Sequence, residues 1–350
     1  MAISRFRKYA GFLLAAVAVS AALAACRSAL APAVPVQEPD LVIYTAQEEA
    51  VYEPVIKEFQ ERTGYRVAVK EGSSRELQEQ LSAQQKETGE APAWDVIFGV
   101  GIETLEESKA FLQPYESSHA DFINDSFRSA DHSWTSFSAL PLVIMYNTNV
   151  VTYRELPEGW MSLLEPRWKG RIAFLDPEIS DMYSNALVTA VQTCSGTEDY
   201  LPRLMGNLDY RTLNSIGAVN SGIVDGRYSL GVTLEESAQA LRSGGADVDY
   251  IYPREGTSAL PDGTAIVKGS SHVEAAEEFL DFTVSRDVQR VLVADLNRRS
   301  VRTDVPPLPG LDPISRLDLV DMDLKVLSRE KAAVMAQWNR LMKEYERGAD

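Results

Sequence analysis

Short apolar runs alternate with amphipathic helical patterns over residues 41–107, and this alternation limits the fold more than any other feature of the chain. The runs Leu41–Ala46, Tyr65–Lys70 and Ala93–Val100 are of the kind that forms buried parallel strands. Between them, apolar residues recur at the spacing of a helix face. This order predicts an open α/β sheet with right-handed crossovers. Because ligands of such sheets bind at the carboxyl ends of the strands, the loops after these runs are candidate sites.

A second α/β series follows an extended apolar segment at residues 137–149. The sequence has no repeat of solenoid period, so we expect compact α/β lobes. Apolar runs predict further strands at residues 171–177, 228–233, 248–253 and 263–269. Apolar residues at helical spacing predict helices at about 181–192, directly after 233, at 272–294 and at about 325–347.

The N-terminal segment indicates export. After a basic start, the apolar stretch Gly11–Ala22 is too short for a stable membrane span. It is followed by Leu23–Cys26, which resembles the lipobox of bacterial lipoproteins. We therefore predict a lipoprotein signal peptide at residues 1–25 and lipidation at Cys26, with an ordinary signal peptide as the alternative. Residues 26–39 are rich in Ala and Pro and are predicted to be a tether.

The net charge and the cysteine count exclude several classes of partner. The formal net charge is −17, and removal of residues 1–25 with their three basic residues takes it to −20. So acidic a chain is a poor partner for nucleic acid, and we expect it to meet a membrane only through its lipid anchor. Cys194 is the only cysteine besides Cys26, which excludes an intramolecular disulfide in the anchored form and a cysteine-based metal cluster. We expect no cofactor.

Motifs of catalysis are missing from the sequence. The histidines His119, His132 and His272 do not have the H-E-x-x-H spacing of a metal site. The sequence contains neither a G-x-S-x-G nucleophile elbow nor a P-loop. Gly99 and Gly101 follow a strand pattern, but the third glycine of a dinucleotide-binding fingerprint is replaced by threonine. We therefore expect a protein that binds a ligand without catalysis and that has no resident metal.

Seven segments, in their order along the chain, resemble the solute-binding proteins of bacterial ABC importers. They are most similar to the branch that includes ferric-ion, phosphonate and sugar-phosphate binders. No single segment is diagnostic, but together they cover nearly the whole chain after the tether. The segments are Leu41–Val67, Ala93–Glu107, Ala139–Val151, Glu165–Asp181, Val224–Ala238, Ala265–Leu292 and Asn297–Val305.

The resemblance implies an α/β, two-lobed periplasmic-binding-protein fold of type II, with a mixed sheet in each lobe and a hinge between them. The first lobe would contain residues 40–140 and about 255–310, and the second lobe residues 141–254 and about 311–350. Such a protein is a monomer outside the cytoplasm that closes its lobes on a small ligand and presents it to an ABC permease. A subunit that presents its closed form to a membrane sensor kinase is an alternative, because both roles use the same closure.

This chain departs from the ferric members of that family where their iron ligands are expected. They carry adjacent tyrosines shortly after the segment that matches residues 226–233, whereas Leu234–Ala238 contains no tyrosine. They often have a histidine in the first loop, here Thr45–Ala50, and a carboxylate near the third strand, where this chain has Phe98–Gly101. Because Fe³⁺ favours phenolate and carboxylate oxygens, these departures argue against iron.

Hydroxyl groups and predicted helix N-termini in the candidate loops favour a small anionic organophosphate or phosphonate. Helix N–H groups and hydroxyls donate to phosphate, and Arg75 would add a bidentate contact. Glu235 would accept hydrogen bonds from hydroxyls or pair with an amine. For Ser73–Arg75 the alternative is an ordinary helix cap. The predicted ligand-binding residues are Thr45, Gln47, Ser73, Ser74, Arg75, Ser180, Tyr183, Ser184, Ser215, Thr233 and Glu235.

Two interpretations of other charged residues stay open. The glutamates at positions 48–49 and 235–236 could hold ferric ion or another cation, or they could be solvated residues at helix starts. Arg298, Arg299 and Arg302 could add positive charge to the cleft or pair with surface acids.

Overall fold

The computed structural model describes residues 38–87, 93–194, 199–320 and 324–349. The predicted signal peptide, Cys26 and nearly all of the tether lie outside the described residues. The fold below is that of the unit formed by residues 39–350. No helix in the described part of the chain combines the length and the hydrophobicity that a membrane span requires.

The alternation of strands and helices expected at the start of the fold is present. β1 pairs in parallel with both β2 and β3. α1 stops where Gly64 adopts a left-handed φ of 79°, which glycine tolerates without strain. The elements of this part are β1 (Leu41–Thr45), α1 (Glu49–Thr63), β2 (Val67–Glu71), α2 (Ser74–Glu87), β3 (Val96–Gly101), α3 (Ile102–Glu107) and β4 (Leu112–Gln113).

The second series of strands and helices is also present. Its strands are β5 (Thr135–Asn147), β6 (Ile172–Ala173), β7 (Leu230–Leu234), β8 (Val248–Ile251) and β9 (Ala259–Val267). Its helices are α4 (Asp181–Thr193), α5 (Tyr200–Asn207), α6 (Ile216–Val224), α7 (Glu235–Ser243), α8 (Val273–Thr283), α9 (Arg286–Leu296) and α10 (Leu324–Ala349). Short 3₁₀ helices lie at Lys109–Phe111, Ala120–Phe122, Asp125–Phe127, Tyr153–Glu155, Trp160–Leu164, Pro166–Trp168 and Ile314–Arg316.

Strand β5 joins two groups of strands into one curled mixed sheet. Its first half, Thr135–Pro141, pairs antiparallel with β9. Its second half pairs antiparallel with β7 and β8. Pro141 lies where the partners change, a position that suits a residue with no N–H to donate to the ladder. In the described part of the chain the strands run in the order β2-β1-β3-β9-β5-β7-β6, with β4 on β9 and β8 on β5.

The hydrophobic residues form separate cores on the two sides of this change in β5. One core draws its buried residues from positions 142–248 and 327–338. Two adjoining clusters on the other side draw theirs from positions 41–137 and 265–292. We call the part of the chain around these two clusters the first lobe and the part around the other core the second lobe. Their exact limits stay a prediction.

One predicted helix is two. The apolar spacing predicts a continuous helix over residues 272–294, but α8 ends at Thr283 and α9 starts at Arg286. Ser285 between them has the extended backbone of an N-cap, with φ −63° and ψ 152°. The carbonyl of Val284 accepts a hydrogen bond from Arg302 Nη1 at 2.9 Å. A distant side chain therefore satisfies a backbone group that a continuous helix would have used.

Candidate functional site

Charged and polar side chains from both lobes meet beside the point where β5 changes partners. We call this group the arginine–carboxylate cluster. Arg298 and Arg299 follow α9, whose C-cap residue Asn297 adopts a left-handed conformation with φ 55°. The carbonyl of Arg299 then accepts a hydrogen bond from Ala139 N of β5 at 3.0 Å, which holds this segment against β5. The cluster consists of Gln47, Ser138, Glu235, Glu236, Tyr252, Asp262, Arg298 and Arg299.

Arg298 connects the two lobes. Its side chain is only 5% exposed. On the first-lobe side Nη1 donates to Asp262 Oδ2 at 2.8 Å and Nη2 donates to Gln47 Oε1 at 2.9 Å. On the second-lobe side Nε lies 2.5 Å from Glu236 Oε2, at the start of α7. That approach is an ion contact outside hydrogen-bond geometry, so Glu236 Oε2 has no hydrogen-bond donor among the described residues.

Gln47 and Asp262 form the first-lobe wall of the cluster. Gln47 Nε2 donates to the carbonyl of Gly99 at 2.5 Å and to Asp262 Oδ2 at 2.8 Å. Asp262 Oδ1 accepts from Ser138 Oγ at 2.6 Å. A Cβ at position 99 would lie 2.2 Å from Gln47 Cγ, and Gly99 has a φ of 66°. Glycine at position 99, within β3, is therefore what allows Gln47 to reach the cluster.

Arg299 and Glu235 form a second, fully buried ion pair. Arg299 Nε donates to Glu235 Oε1 at 2.7 Å, and the two side chains are 4% and 1% exposed. Tyr252 Oη donates to Glu235 Oε2 at 2.7 Å. Arg299 Nη1 donates to the carbonyl of Asp312. Both oxygens of Glu235 thus have donors, in contrast to Glu236.

The cluster holds more negative than positive charge, because two guanidinium groups face the carboxylates of Glu235, Glu236 and Asp262. Burial raises the pKa of Glu236 above its ordinary value. The attraction of Arg298 opposes that rise, and the negative charges of Asp262 and Glu48 add to it. The ionised form of Glu236 is therefore less favourable here than in water.

Replacing Glu236 by glutamine should change how stability depends on pH. In the wild-type protein the pKa of Glu236 is higher in the folded than in the unfolded state. Protonation of Glu236 therefore stabilises the folded wild type fully below the unfolded-state pKa. This stabilisation is lost as pH rises through the folded-state pKa, whereas glutamine does not titrate. We therefore expect the unfolding temperature of E236Q, relative to wild type, to be higher at about pH 7.5 than at about pH 4.5. Calorimetry of both proteins at the two pH values measures this, and equal differences would contradict it.

A second ionic contact joins the lobes through α10. Lys331 Nζ donates to Glu103 Oε2 at 3.0 Å and to Asp181 Oδ1 at 2.8 Å. Glu103 lies in the first turn of α3 and Asp181 in the first turn of α4. Burial raises the pKa of Glu103, and the Lys331 ammonium acts against that rise. The lobes are thus held together by charge pairs at two places.

Two of the predicted ligand-binding residues lie in the cluster, and two lie beside it. Gln47 and Glu235 belong to the cluster. Thr45 lies at the end of β1, where its Oγ1 accepts a hydrogen bond from Gln47 N at 3.1 Å. Thr233 is buried in β7, and its Oγ1 donates to Asn220 Oδ1 at 2.8 Å. The loop after β1 and the start of α7 after β7 are connected through Arg298, which contacts both Gln47 and Glu236.

The predicted residues Ser73, Ser74 and Arg75 lie at the start of α2, outside the cluster. Ser73 N donates to Glu76 Oε2 at 2.8 Å, and Glu76 N donates to Ser73 Oγ at 3.2 Å. This reciprocal pair is a capping box. The Glu76 carboxylate therefore occupies the N–H group that an anion would use. Arg75 is exposed and its side chain has no hydrogen bond or ion pair to other described residues.

The remaining predicted residues are at helix starts in the second lobe. Ser215 caps α6, with its Oγ accepting from Ala218 N at 3.1 Å. Ser180 precedes α4, and Ser184 Oγ donates to the carbonyl of Asp181 at 2.9 Å. Tyr183 is fully buried, and its hydroxyl donates to the carbonyl of Val232. The structure therefore uses Tyr183 for packing, and its hydroxyl is already bonded.

Six members of the cluster are missing from the predicted set: Ser138, Glu236, Tyr252, Asp262, Arg298 and Arg299. The sequence contains a signal for Asp262, because this carboxylate directly precedes the apolar strand run at 263–269. A carboxylate that is buried beside such a strand needs a partner. Arg298 and Arg299 pair with acids, but with largely buried ones beside β5 rather than surface ones. That they add positive charge to the cleft stays a prediction. Arg302 has a separate role, in which Nε donates to Asp304 Oδ1 at 2.8 Å.

Among the described residues, no three His, Cys, Asp or Glu side chains are grouped so that they could hold a metal ion. The carboxylates of the cluster face guanidinium groups instead. A cation would have to displace Arg298 or Arg299 in order to reach Glu235 and Glu236.

Comparisons with known proteins agree with this architecture. A family model described as bacterial extracellular solute-binding protein matches residues 91–313. The curated protein "Iron uptake protein A1" of Synechocystis sp. is 27% identical over 289 residues, which are 78% of this chain and 78% of that protein.

Two solved structures have the same fold. The ferric binding protein from Campylobacter jejuni matches with a TM-score of 0.75 and 20% identity, over 86% of this chain and 99% of its own. The periplasmic binding protein AfuA from Actinobacillus pleuropneumoniae, with exogenous fructose-6-phosphate bound, matches with a TM-score of 0.74 and 22% identity. That match covers 87% of this chain and 98% of the other. The expected two-lobed fold of type II is confirmed.

Proposed function

Because the chain belongs to the bacterial extracellular solute-binding proteins, which are not enzymes, we propose that it captures a small organophosphate or phosphonate and delivers it to an ABC import permease. The ligand would bind between the lobes at the arginine–carboxylate cluster. The observation that carries this proposal is the contact of Arg298 Nε with Glu236 Oε2 at 2.5 Å, since its two partners come from different lobes.

Separation of the lobes would free the guanidinium group for a ligand. Asp262 and Gln47 belong to the first lobe and would keep their bonds to Nη1 and Nη2, whereas Glu236 would move away with the second lobe. Nε and the remaining N–H groups of Arg298 would then face the open cleft. A guanidinium group with a free edge binds phosphate or phosphonate oxygens in a bidentate manner. The ligand anion would thus take the place of the Glu236 carboxylate.

Helix N-termini support anion binding less than the sequence suggests. The first turns of α2, α3, α4 and α7 each contain an acidic residue. A carboxylate in the first turn already interacts favourably with the helix dipole. We therefore assign the anion to Arg298, with Gln47 beside it, and we keep Ser73, Ser74 and Arg75 as a second possibility to be tested.

Ferric ion is the second candidate ligand, because the name of the Synechocystis relative refers to iron uptake. Against it, the segment Leu234–Ala238, where the family resemblance implies adjacent tyrosines, contains none, and its Glu235 and Glu236 both contact arginines. Two carboxylates without phenolates are a weaker set of ligands for Fe³⁺.

The remaining parts of the proposal concern location and partners. We propose that Cys26 is lipidated and that residues 26–39 tether a monomeric two-lobed body outside the cytoplasm. The first lobe would contain residues 40–140 and about 255–310, and the second lobe 141–254 and about 311–350. Presentation of the closed form to a sensor kinase is the alternative to delivery.

A thermal-shift panel tests the ligand class. The purified protein would be heated with inorganic phosphate, 2-aminoethylphosphonate, hexose phosphates, thiamine, spermidine or ferric citrate. A ligand at about 100 times its dissociation constant adds roughly 2.7 kcal/mol of stability. We expect a phosphorylated or phosphonate compound to raise the unfolding temperature, and Arg298→Lys to remove that shift, because lysine lacks the planar fork. Arg302→Lys is the matched control and should keep it.

Other outcomes would change the assignment. If Arg75→Ala rather than Arg298→Lys removes the shift, the anion binds at the start of α2. If only ferric citrate stabilises the protein, the cation interpretation of Glu235 and Glu236 replaces the anion proposal.

A further inference from the structure

We infer that Glu236 is a specificity-determining residue, which selects ligands that carry a protonated amine at the end opposite their anionic group. This inference rests on the proposed function and adds to it the charge of the ligand's second end. Glu236 lies in the first turn of α7, on the second-lobe side of the cluster, and faces Arg298 across the boundary between the lobes.

The first step is the exchange of partners on ligand binding. The only cation in contact with Glu236 among the described residues is Arg298. When the ligand anion takes the Arg298 guanidinium, Glu236 loses that contact. Its Oε2 has no hydrogen-bond donor among those residues even now. Closure of the lobes on a simple anion would therefore bury a carboxylate that has no partner, which is costly.

The second step is the balance of charge. Asp262 lies on the other side of Arg298, with Oδ2 at 2.8 Å from Nη1, and Glu48 is a further negative group that acts on Glu236. An anion added between the lobes increases an excess of negative charge that the cluster already has. A ligand with an ammonium group restores a partner to Glu236 and offsets one negative charge of its own anionic group.

Glu235 cannot take this role as readily. Its side chain is 1% exposed and both of its oxygens accept hydrogen bonds, from Arg299 and Tyr252. The side chain of Glu236 is 19% exposed. Of the two adjacent glutamates, Glu236 is thus the one whose only cationic contact among the described residues is Arg298, and the one whose side chain is partly exposed.

A pair of phosphonates of equal size tests this inference. 2-Aminoethylphosphonate and n-propylphosphonate have the same anionic group and chain length, and they differ in an ammonium group replacing a methyl group. By titration calorimetry we expect wild type to bind the amino compound at least about tenfold more tightly. In Glu236→Gln the ratio should fall to within about threefold. Glu48→Gln removes a nearby charge that does not contact Arg298, and it should keep the tenfold preference.

Each other outcome overturns a distinct statement. If wild type binds both phosphonates equally well, this inference is wrong and the proposed function stands. If Glu236→Gln weakens both compounds by the same factor, Glu236 only helps to hold the lobes together, and the inference is again wrong. If neither compound binds and no phosphorylated compound stabilises the protein, the proposed function fails and the inference fails with it. Unfolding temperatures without ligand establish that each variant is folded.

Discussion

Replacement of Arg298 by methionine is expected to lower the free energy of unfolding by about 3–5 kcal/mol, the usual cost of removing one partner from a buried ion pair. The side chains of Arg298 and Asp262 are 5% and 4% exposed, so water cannot replace the lost guanidinium group. Asp262 would still accept hydrogen bonds from Ser138 and Gln47, but it would no longer contact a positive charge. Chemical denaturation measures the loss.

Two further variants separate charge from packing in that experiment. Arg298→Met combined with Asp262→Asn should recover part of the lost stability, because the uncompensated carboxylate is gone. Arg316→Met is the control, since this arginine is 73% exposed and its ion pair with Asp312 at 3.3 Å should contribute at most about 1 kcal/mol. A loss below about 1 kcal/mol in Arg298→Met would show that water reaches the cluster and that Arg298 is not a buried link.

The fold could be predicted from the sequence because its signals are local. Each of the strands β1, β2 and β3 is predicted by an apolar run of consecutive residues, so the signal lies within the strand itself. The break between α8 and α9 could not be predicted in this way. The apolar spacing continues through Val284 and Val288, whereas the carbonyl of Val284 accepts a hydrogen bond from Arg302, a residue that approaches only in the folded chain.

The site was predictable only in part, since its contacts join distant parts of the chain. Arg298 and Gln47 are 251 positions apart, and Gln47 and Asp262 are 215 apart. Loop position alone leads to Gln47, at the end of β1, and to Glu235, at the end of β7. Which arginine faces which carboxylate depends on the register of β5 with β9 and β7, which the sequence pattern does not reveal.

Ser73 illustrates the opposite case, in which a local pattern contains the answer. Ser73 and Glu76 have the S-x-x-E spacing of a capping box, and that is what the structure forms. This spacing by itself favours the cap over a ligand site, because the glutamate supplies the negative group. Functional interpretation of hydroxyls at helix starts is therefore safer where no acidic residue lies three positions further on.

The ion pair of Arg299 and Glu235 should show strong coupling in a double-mutant cycle. Among the described residues, Arg299→Met leaves the buried Glu235 carboxylate with only Tyr252 as a donor, and Glu235→Leu leaves the guanidinium group with only neutral partners. We expect each single variant to lose about 3–5 kcal/mol. The double variant removes both charges, so it should lose clearly less than the sum, with a coupling of at least about 2 kcal/mol.

This cycle also bears on the choice between the two glutamates. If the Glu235 carboxylate is required mainly to pair with Arg299, the double variant will be folded and will still prefer 2-aminoethylphosphonate over n-propylphosphonate, because Glu236 is intact. Loss of that preference in a folded double variant would instead indicate that Glu235 binds the ammonium group of the ligand. Additive losses, with coupling below about 0.5 kcal/mol, would mean that the two side chains contribute to stability independently of each other.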